Sequence, residues 1–198
     1  MLERVPINAE TEEKIKELAL KFLEKGRPNW DVPHTLAAVH WIKELIKQNG
    51  GNERILVTAM YLHDIGYSGQ FEEECTFDSI CSQKPSHMKI GAKLAQKVLT
   101  RLNFTKEEIR EITHLISIHD NFEEINVENH NESLVFEADS LSHIDINRVK
   151  SSFSKEDVLK WLTGFEQKRL PLFRTELGKE NASKFLNANK EYFKCFSP

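Results

Sequence analysis

The sequence has few of the features that mark secreted or membrane proteins. Its 198 residues contain three cysteines, and no two of them form a CxxC pair. An odd number of cysteines without paired motifs argues against a disulfide framework and predicts reduced thiols at Cys75, Cys81 and Cys195. The longest apolar run, around residues 55–62, is too short to span a bilayer. The first ten residues are charged and lack the apolar core of a signal peptide, so the sequence predicts a cytoplasmic protein.

A strong charge of either sign is also missing. The formal net charge is −4, from 27 Lys and Arg against 31 Asp and Glu, and the chain contains no basic block. Nucleic-acid-binding surfaces carry such a block, so a nucleic acid is disfavoured as a partner. The apolar and charged shares, 39% and 29%, are typical of a globular protein. If the substrate is anionic, a metal ion or a few placed cations must attract it locally.

No run of alternating β-branched residues is long enough to predict a sheet, whereas helical periodicity covers most of the chain. Apolar residues recur at three- and four-residue spacing in eight segments: 10–25, 32–48, 53–65, 86–102, 105–120, 132–145, 154–170 and 179–195. Thr105 with Glu108 forms a capping box, and Ser86 is a candidate N-cap. We therefore expect an all-α fold in a single domain over residues 1–198, with the helices of 151–198 packed onto the first bundle.

The longest irregular stretch is predicted between residues 68 and 85. It contains an acidic run, Glu72–Glu74, and it joins two helices of the expected core. Long loops between core helices are often functional, and a lid over a site is one interpretation. A solvated surface excursion is the other interpretation, and the sequence leaves both open.

Helical periodicity places six side chains of metal-binding or acid–base type on faces that point inward. They come from five helices and are His34, His63, Asp64, His87, His119 and Asp139. His40, His114 and His130 point away from these faces. A single buried histidine is ordinarily a core residue bonded to a carbonyl oxygen, but burying six polar groups together is costly. One shared divalent metal removes that cost, so we expect the helices to converge on a metal ion.

These residues resemble a known signature. His34, then His63 and Asp64, then Asp139 is similar to the H…HD…D pattern of the HD-domain superfamily of metal-dependent phosphohydrolases. The similarity extends to the surrounding helices HTLAAVHWIKEL, ILVTAMYLHDIG and FEADSLSHID, and it covers about residues 30–150. The HD dipeptide alone is common by chance, whereas the full set on apolar helices is specific. The GYP-containing motif of the branch that hydrolyses cyclic-di-GMP is missing from the sequence.

The resemblance implies an HD-domain helical bundle that binds one divalent metal through four ligands. These ligands are His34, His63, Asp64 and Asp139. In the binuclear branch of the superfamily, two further histidines bind a second metal and the HD aspartate bridges the two ions. His87 and His119 lie in the corresponding part of the chain. In many mononuclear members, polar residues at these places contact the substrate phosphate instead, so one ion and two ions both stay open.

The expected chemistry is hydrolysis of a phosphate ester of a nucleotide or another small molecule. Imidazole and carboxylate ligands without a thiolate suit Fe, Mn, Ni, Co or Zn, and such an ion lowers the pKa of bound water from about 15.7 towards 7. Asp64 can accept a proton from the attacking water, and His87 and His119 can protonate the leaving group or bind phosphate. Lys84 and Lys89 flank His87 at a predicted helix start, where they form a candidate substrate-binding site for an anion or a solvated surface.

Two other functions stay open at the level of the sequence. A regulatory HD module binds a metal or a nucleotide without turnover, although the complete set of inward groups argues against it. An iron-dependent oxygenase uses the same ligand types on the same fold. The sequence identifies neither the substrate nor the metal, and it leaves the oligomeric state open, a homo-oligomer included.

Overall fold

The structure, a computed structural model, describes three stretches of the chain: residues 4–71, 76–151 and 153–195. The acidic run Glu72–Glu74 lies outside them, and so do Cys75 and the side chain of Cys195. Cys81 is an exposed free thiol, in agreement with the predicted reduced state. Within the described stretches, no helix combines the length and the hydropathy that crossing a membrane requires.

Eight α-helices in the described residues confirm the all-α fold. Their bounds are α1 Ala9–Leu23, α2 Asp31–Asn49, α3 Glu53–Leu62, α4 Phe77–Arg101, α5 Lys106–Ile118, α6 His130–Ile144, α7 Lys155–Lys168 and α8 Glu176–Cys195. Two 3₁₀ turns, Ile65–Tyr67 and Leu170–Leu172, come after α3 and α7. Arg4–Val5 (β1) and Gly51–Asn52 (β2) pair in parallel, which the sequence did not predict because two residues are too few to show a pattern.

The long loop predicted before Ser86 is wrong from Phe77 onward, because α4 begins there. A capping box starts the helix: the Ser79 N–H donates to the Thr76 hydroxyl at 3.2 Å, and the Thr76 N–H donates to the Ser79 hydroxyl at 3.0 Å. Pro85 lies inside α4, so Ser86 is an interior residue and not an N-cap. The prediction failed because a proline inside a helical pattern usually marks a helix end.

α3 lies at the centre of the bundle, where α1, α2, α5 and α6 pack around it. Every residue from Ile55 to Leu62 is buried. A helix that is apolar on nearly every side is stable only when other helices surround it. The chain continues directly into His63, Asp64 and the 3₁₀ turn, so the HD pair lies in the interior of the molecule.

The C-terminal helices pack onto the bundle, as the sequence predicted, with α8 lying against α6 and α7. Glu137 of α6 fixes the start of α8, because the backbone N–H groups of Arg174 and Thr175 donate to its Oε1 at 2.5 and 2.9 Å. Burial raises the pKa of Glu137, although these hydrogen bonds act in the opposite direction. The start of α8 is thereby fixed to the helix that also carries Asp139.

Gly66, in the 3₁₀ turn after the HD pair, allows α4 to lie directly against that turn. A Cβ atom at Gly66 would lie 1.9 Å from the backbone oxygen of His87 and 2.6 Å from the backbone nitrogen of Gly91. Both of these atoms belong to the backbone of α4, which cannot yield as a flexible side chain can. The contact therefore sets how closely His87 approaches Asp64.

We predict that Gly66→Ala lowers the free energy of unfolding by at least about 2 kcal/mol, because the added methyl group overpacks a backbone contact. Gly164→Ala is the matched control. Gly164 lies inside α7 and a Cβ atom there meets nothing within 4 Å. The control should therefore be neutral or stabilising by about 0.5–1 kcal/mol, as expected for a glycine inside a helix with room for a methyl group. Urea unfolding followed by circular dichroism measures both, and equal effects of the two substitutions would contradict the role given to Gly66.

Candidate metal centre

The six inward side chains predicted from the sequence meet in one buried cluster, although each comes from a distant part of the chain. His34 lies in the first turn of α2, His63 and Asp64 follow α3, His87 lies in α4, His119 follows α5 and Asp139 lies in α6. Each of the six is at most 3% exposed. The histidines predicted to point elsewhere, His40, His114 and His130, are half-buried or exposed.

The first ligand group consists of His34, His63, Asp139 and the Oδ2 atom of Asp64. The Nε2 atoms of His34 and His63 are 3.1 Å apart, and each lies 3.3 Å from Asp64 Oδ2. Asp139 Oδ1 lies 3.2 Å from His34 Nε2 and 3.5 Å from His63 Nε2. Two imidazole nitrogens and two carboxylate oxygens therefore surround one point.

The second ligand group consists of His87, His119 and the other oxygen of Asp64, Oδ1. That oxygen lies 3.3 Å from His87 Nε2 and 3.6 Å from His119 Nε2, and the two nitrogens are 3.4 Å apart. The two oxygens of a single carboxylate therefore face two different groups of imidazoles. Sequence periodicity predicted that these residues point inward, but it could not assign them to separate groups.

Hydrogen bonds at Nδ1 fix the orientation of three of the four imidazoles. The Nδ1 atoms of His63 and His119 donate to the carbonyl oxygens of Met60 and Ile116 at 2.7 and 2.8 Å. Each ring is thereby held so that its Nε2 atom points into the cluster. In the neutral rings, these Nε2 atoms carry lone pairs and no proton.

The same reasoning applies to His34, whose Nδ1 atom lies 3.0 Å from the hydroxyl oxygen of Ser142. Because that hydroxyl donates to the carbonyl oxygen of Asp139 at 2.6 Å, it accepts from His34 Nδ1. The Nε2 atom of His34 is therefore also a bare acceptor. Hydrogen bonds cannot join acceptors to one another, so the neutral cluster demands a positive charge at its centre.

The pKa values of the cluster also indicate that it needs positive charge at its centre. Burial lowers the pKa of His63, but the Asp64 and Asp139 carboxylates outweigh burial and raise it to about 10. Burial raises the pKa of Asp64, but His63 and Arg27 outweigh burial and bring it well below its usual range. The site thus favours bound positive charge and ionised carboxylates.

Arg27, in the turn between α1 and α2, supplies part of that charge and was missed by the sequence analysis. Its guanidinium donates to Asp64 and, through Nε at 2.5 Å, to Asp31. Burial raises the pKa of Asp31 to about 6 in spite of this arginine. Gly26 makes room for the pair, because a Cβ atom there would lie 2.0 Å from Asp31 Oδ2. The turn has no periodic pattern, so nothing in the sequence signalled these residues.

Arg169, at the end of α7, is the second buried arginine that the sequence analysis missed. It donates to Asp139 at 3.0 Å and also to Asp120. Lys84, one of the two predicted substrate-binding lysines, lies 2.8 Å from Asp120, whereas Lys89 is exposed. Both lysines lie inside α4 and not at its start, so the helix N-terminus expected to assist anion binding is not at their position.

His143 is the eighth histidine and also belongs to the surroundings of the cluster. Its Nδ1 atom donates to the carbonyl oxygen of Asp139 at 2.9 Å, and its ring lies edge-on to that of His34 with the centroids 4.3 Å apart. Burial lowers its pKa to about 3, so this ring is neutral. Its position four residues after Asp139 was the one signal in the sequence that could have identified it.

Ligand atoms in the described residues are close enough to hold metal ions. They form four overlapping triads in which the atoms lie within 4.8 Å of one another. The triads are His34–His63–Asp64, His63–His119–Asp139, Asp64–His87–His119 and His34–Asp139–His143. All six residues predicted as ligands belong to at least one of these triads.

Comparison with known proteins agrees with the all-α fold. A crystal structure of a predicted HD superfamily hydrolase from an uncultured Thermotogales bacterium is similar over 96% of this chain and 91% of that chain, with 18% identity and a TM-score of 0.58. The structure of an HD-superfamily hydrolase from Bacillus thuringiensis is similar over 93% and 94%, with 20% identity and a TM-score of 0.60. No curated protein matches the sequence. The sequence profile of the HD domain matches residues 32–144, more than half of the chain, and the protein therefore belongs to the HD domain family.

Proposed function

We propose that the protein is a metal-dependent phosphohydrolase acting on a small-molecule phosphate ester, nucleotides included. The observation that carries the proposal is the Asp64 carboxylate, whose two oxygens face two pairs of imidazole Nε2 atoms. In the reaction, water adds to phosphorus, the bond from phosphorus to the alcohol oxygen breaks, and the alcohol leaves with a proton. Two similar solved structures are described as HD superfamily hydrolases, which supports the same reaction class.

The donor atoms fit divalent transition metals. Two ligands at right angles, each about 2.1 Å from an ion, are about 3.0 Å apart. The separations in the first ligand group, 3.1 to 3.5 Å, are close to that value. The first group would hold one ion, and the second group would hold another ion with Asp64 shared between the two. Nitrogen and oxygen ligands without a thiolate suit Fe, Mn, Ni, Co or Zn.

The chemistry that such an ion supplies when bound is a coordinated water of lowered pKa and a polarised phosphoryl oxygen. The protein provides orientation, because the Nδ1 hydrogen bonds of His34, His63 and His119 direct their Nε2 atoms at the cluster. Burial excludes bulk water and strengthens the attraction between charged groups. Arg27 and Arg169 offset the buried carboxylates and attract an anionic substrate.

Proton transfer and phosphate binding fall to a small number of residues. Asp64 is positioned to take a proton from the attacking water. His87 and His119, where they do not hold a metal ion, can give a proton to the leaving group or bind phosphate through the Nε2 atoms that face Asp64. Lys84, held by Asp120, is a candidate phosphate contact, whereas the exposed Lys89 is a weaker one. The substrate, the oligomeric state and the cytoplasmic location stay predictions from the sequence.

We predict that Asp64→Asn removes metal from both ligand groups, since both depend on this carboxylate. The variant should bind less than half of the metal of the parent protein after reconstitution with Mn²⁺, and its hydrolysis of 4-nitrophenyl phosphate should fall at least about 100-fold. Asp78→Asn is the control, because Asp78 is exposed in the first turn of α4. Elemental analysis of both variants measures the stoichiometry, and full metal content in Asp64→Asn would refute the ligand assignment.

Two results with the parent protein would favour the alternative functions. Oxygen consumption would favour an oxygenase, and metal binding without turnover would favour a regulatory module.

We predict that His119→Ala loses one equivalent of metal and keeps the other, because the first ligand group does not include this residue. His114→Ala on the same helix is the control, since that histidine is exposed and pairs with Glu132. Elemental analysis combined with circular dichroism separates metal loss from unfolding. Unchanged stoichiometry with lost hydrolysis would instead assign His119 to contact with the substrate phosphate.

A further inference from the structure

A cavity of about 330 Å³ lies beside the metal centre, between the start of α4, the segment after α6, and helices α7 and α8. Its walls are mainly apolar and aromatic. The apolar and aromatic residues of the lining include Phe77, Phe153, Trp161, Leu162, Tyr192 and Phe193. Cavities of this size and composition are typical of small-molecule sites.

Three residues of the cavity wall also contact the cluster of candidate metal ligands. Arg27, Trp30 and His143 line the cavity. Each also contacts a ligand: Arg27 donates to Asp64, Trp30 stacks on His34 with ring centroids 5.7 Å apart, and His143 donates to the carbonyl oxygen of Asp139. These contacts place the cavity next to the cluster, so the remaining part of a molecule with its phosphate at the metal centre would lie towards the cavity.

Several polar groups that line the cavity are engaged already, whereas the buried indole N–H of Trp30 has no partner among the described residues and is left as a single donor. The Asn189 amide donates to two backbone oxygens, those of Ile144 at 2.7 Å and Phe185 at 2.9 Å. Asp157 accepts from the Ser154 hydroxyl at 2.7 Å. A sugar or another hydroxyl-rich group would lose its hydrogen bonds to water on entering, and such a loss disfavours binding.

The aromatic side chains, in contrast, favour a flat apolar group. Trp161 stacks on His143, with the ring centroids 5.6 Å apart and the planes at 25°. Phe77 and Phe153, which also line the cavity, meet edge to face with their ring centroids 5.7 Å apart. Aromatic rings prefer such stacked and edge-to-face neighbours, and burying apolar surface is favourable in itself.

We propose that this cavity holds the alcohol part of the substrate and that the substrate is a phosphate monoester of an apolar, aromatic alcohol. The inference rests on the proposed phosphohydrolase function, because it assigns the phosphate to the metal centre. The proposal also narrows the substrate class, because phosphate esters of sugars would not be preferred substrates. Arg27 lies where the two parts of such a substrate meet.

The test uses calorimetric titration of the Mn²⁺-loaded protein with three phosphonates that cannot be hydrolysed. These are 1-naphthylphosphonic acid, methylphosphonic acid and the methylenephosphonate analogue of AMP. The naphthyl compound should bind at least about tenfold more tightly than the methyl compound, since only the former buries an apolar group. It should also bind more tightly than the nucleotide analogue. Tighter binding of the nucleotide analogue would overturn the proposal.

Variants in which a larger side chain fills the cavity test whether the naphthyl group binds there. Ile80→Trp, on the cavity wall in α4, should reduce the advantage of the naphthyl compound to about twofold or less and leave methylphosphonate binding unchanged. Ile146→Trp, on another part of the wall, should act alike. Ile90→Trp is the matched control, because Ile90 is also half-buried in α4 but does not line the cavity. A loss of binding in Ile90→Trp equal to that in the two wall variants would refute the assignment.

Hydrolysis of glycerol 3-phosphate by the same preparation separates the two proposals. Turnover of this ester without a binding advantage for the naphthyl compound would refute the cavity assignment and leave the phosphohydrolase function standing. The opposite result would be tighter binding of the naphthyl compound, lost in the wall variants, without turnover of glycerol 3-phosphate or 1-naphthyl phosphate. This result would refute the hydrolase function. That second outcome would still support the cavity as the site of an aromatic ligand.

Discussion

The structure depends on one electrostatic constraint: six nitrogen and oxygen atoms that can accept hydrogen bonds are buried together, and positive charge, from a metal ion or from a proton on His63, must join them. They are the Nε2 atoms of His34, His63 and His119 and the facing oxygens of Asp64 and Asp139. Water cannot solvate them because each residue is at most 3% exposed. Burying such groups without compensation costs several kcal/mol per ionised side chain. The surrounding helices therefore bury a cluster of side chains that could hold a metal ion.

The rest of the fold meets that constraint in two ways. Arg27 and Arg169 come from outside the central helices and contact Asp64 and Asp139, so each of these carboxylates has a buried cationic neighbour. Close backbone packing then holds the imidazole and carboxylate groups near one another. Gly66 is essential to this packing, because any side chain there would keep α4 away from the 3₁₀ turn. Charge compensation and tight packing thus act on the same few atoms, although their residues are far apart in the sequence.

Much of the site was predictable because helical periodicity reports which side a side chain faces. His34, His63, Asp64 and Asp139 share their helix faces with apolar residues, so their burial could be predicted without knowing where the helices lie. Arg27 and Arg169 were missed because they lie at helix ends or in a turn, where periodicity carries no information. The start of α4 was missed for a different reason, since the capping interactions around Thr76 and the tolerance of Pro85 depend on local geometry. The division of these residues into two groups was expected only from the family resemblance, because it depends on how helices cross, which periodicity within one segment does not encode.

The carbonyl partners of His63 and His119 have a consequence for how the site is assembled. Each imidazole is bonded to the backbone oxygen three residues before it, at the last turn of its own helix, where carbonyl groups have no helical partner. The direction of the ring is therefore a property of the helix terminus and needs no contact with a neighbouring helix. An imidazole held in this way is oriented by its own helix, so binding of an ion there would require little reordering of the protein. It also means that lengthening α3 or α5 by one residue would turn the imidazole by about 100° and remove it from the site.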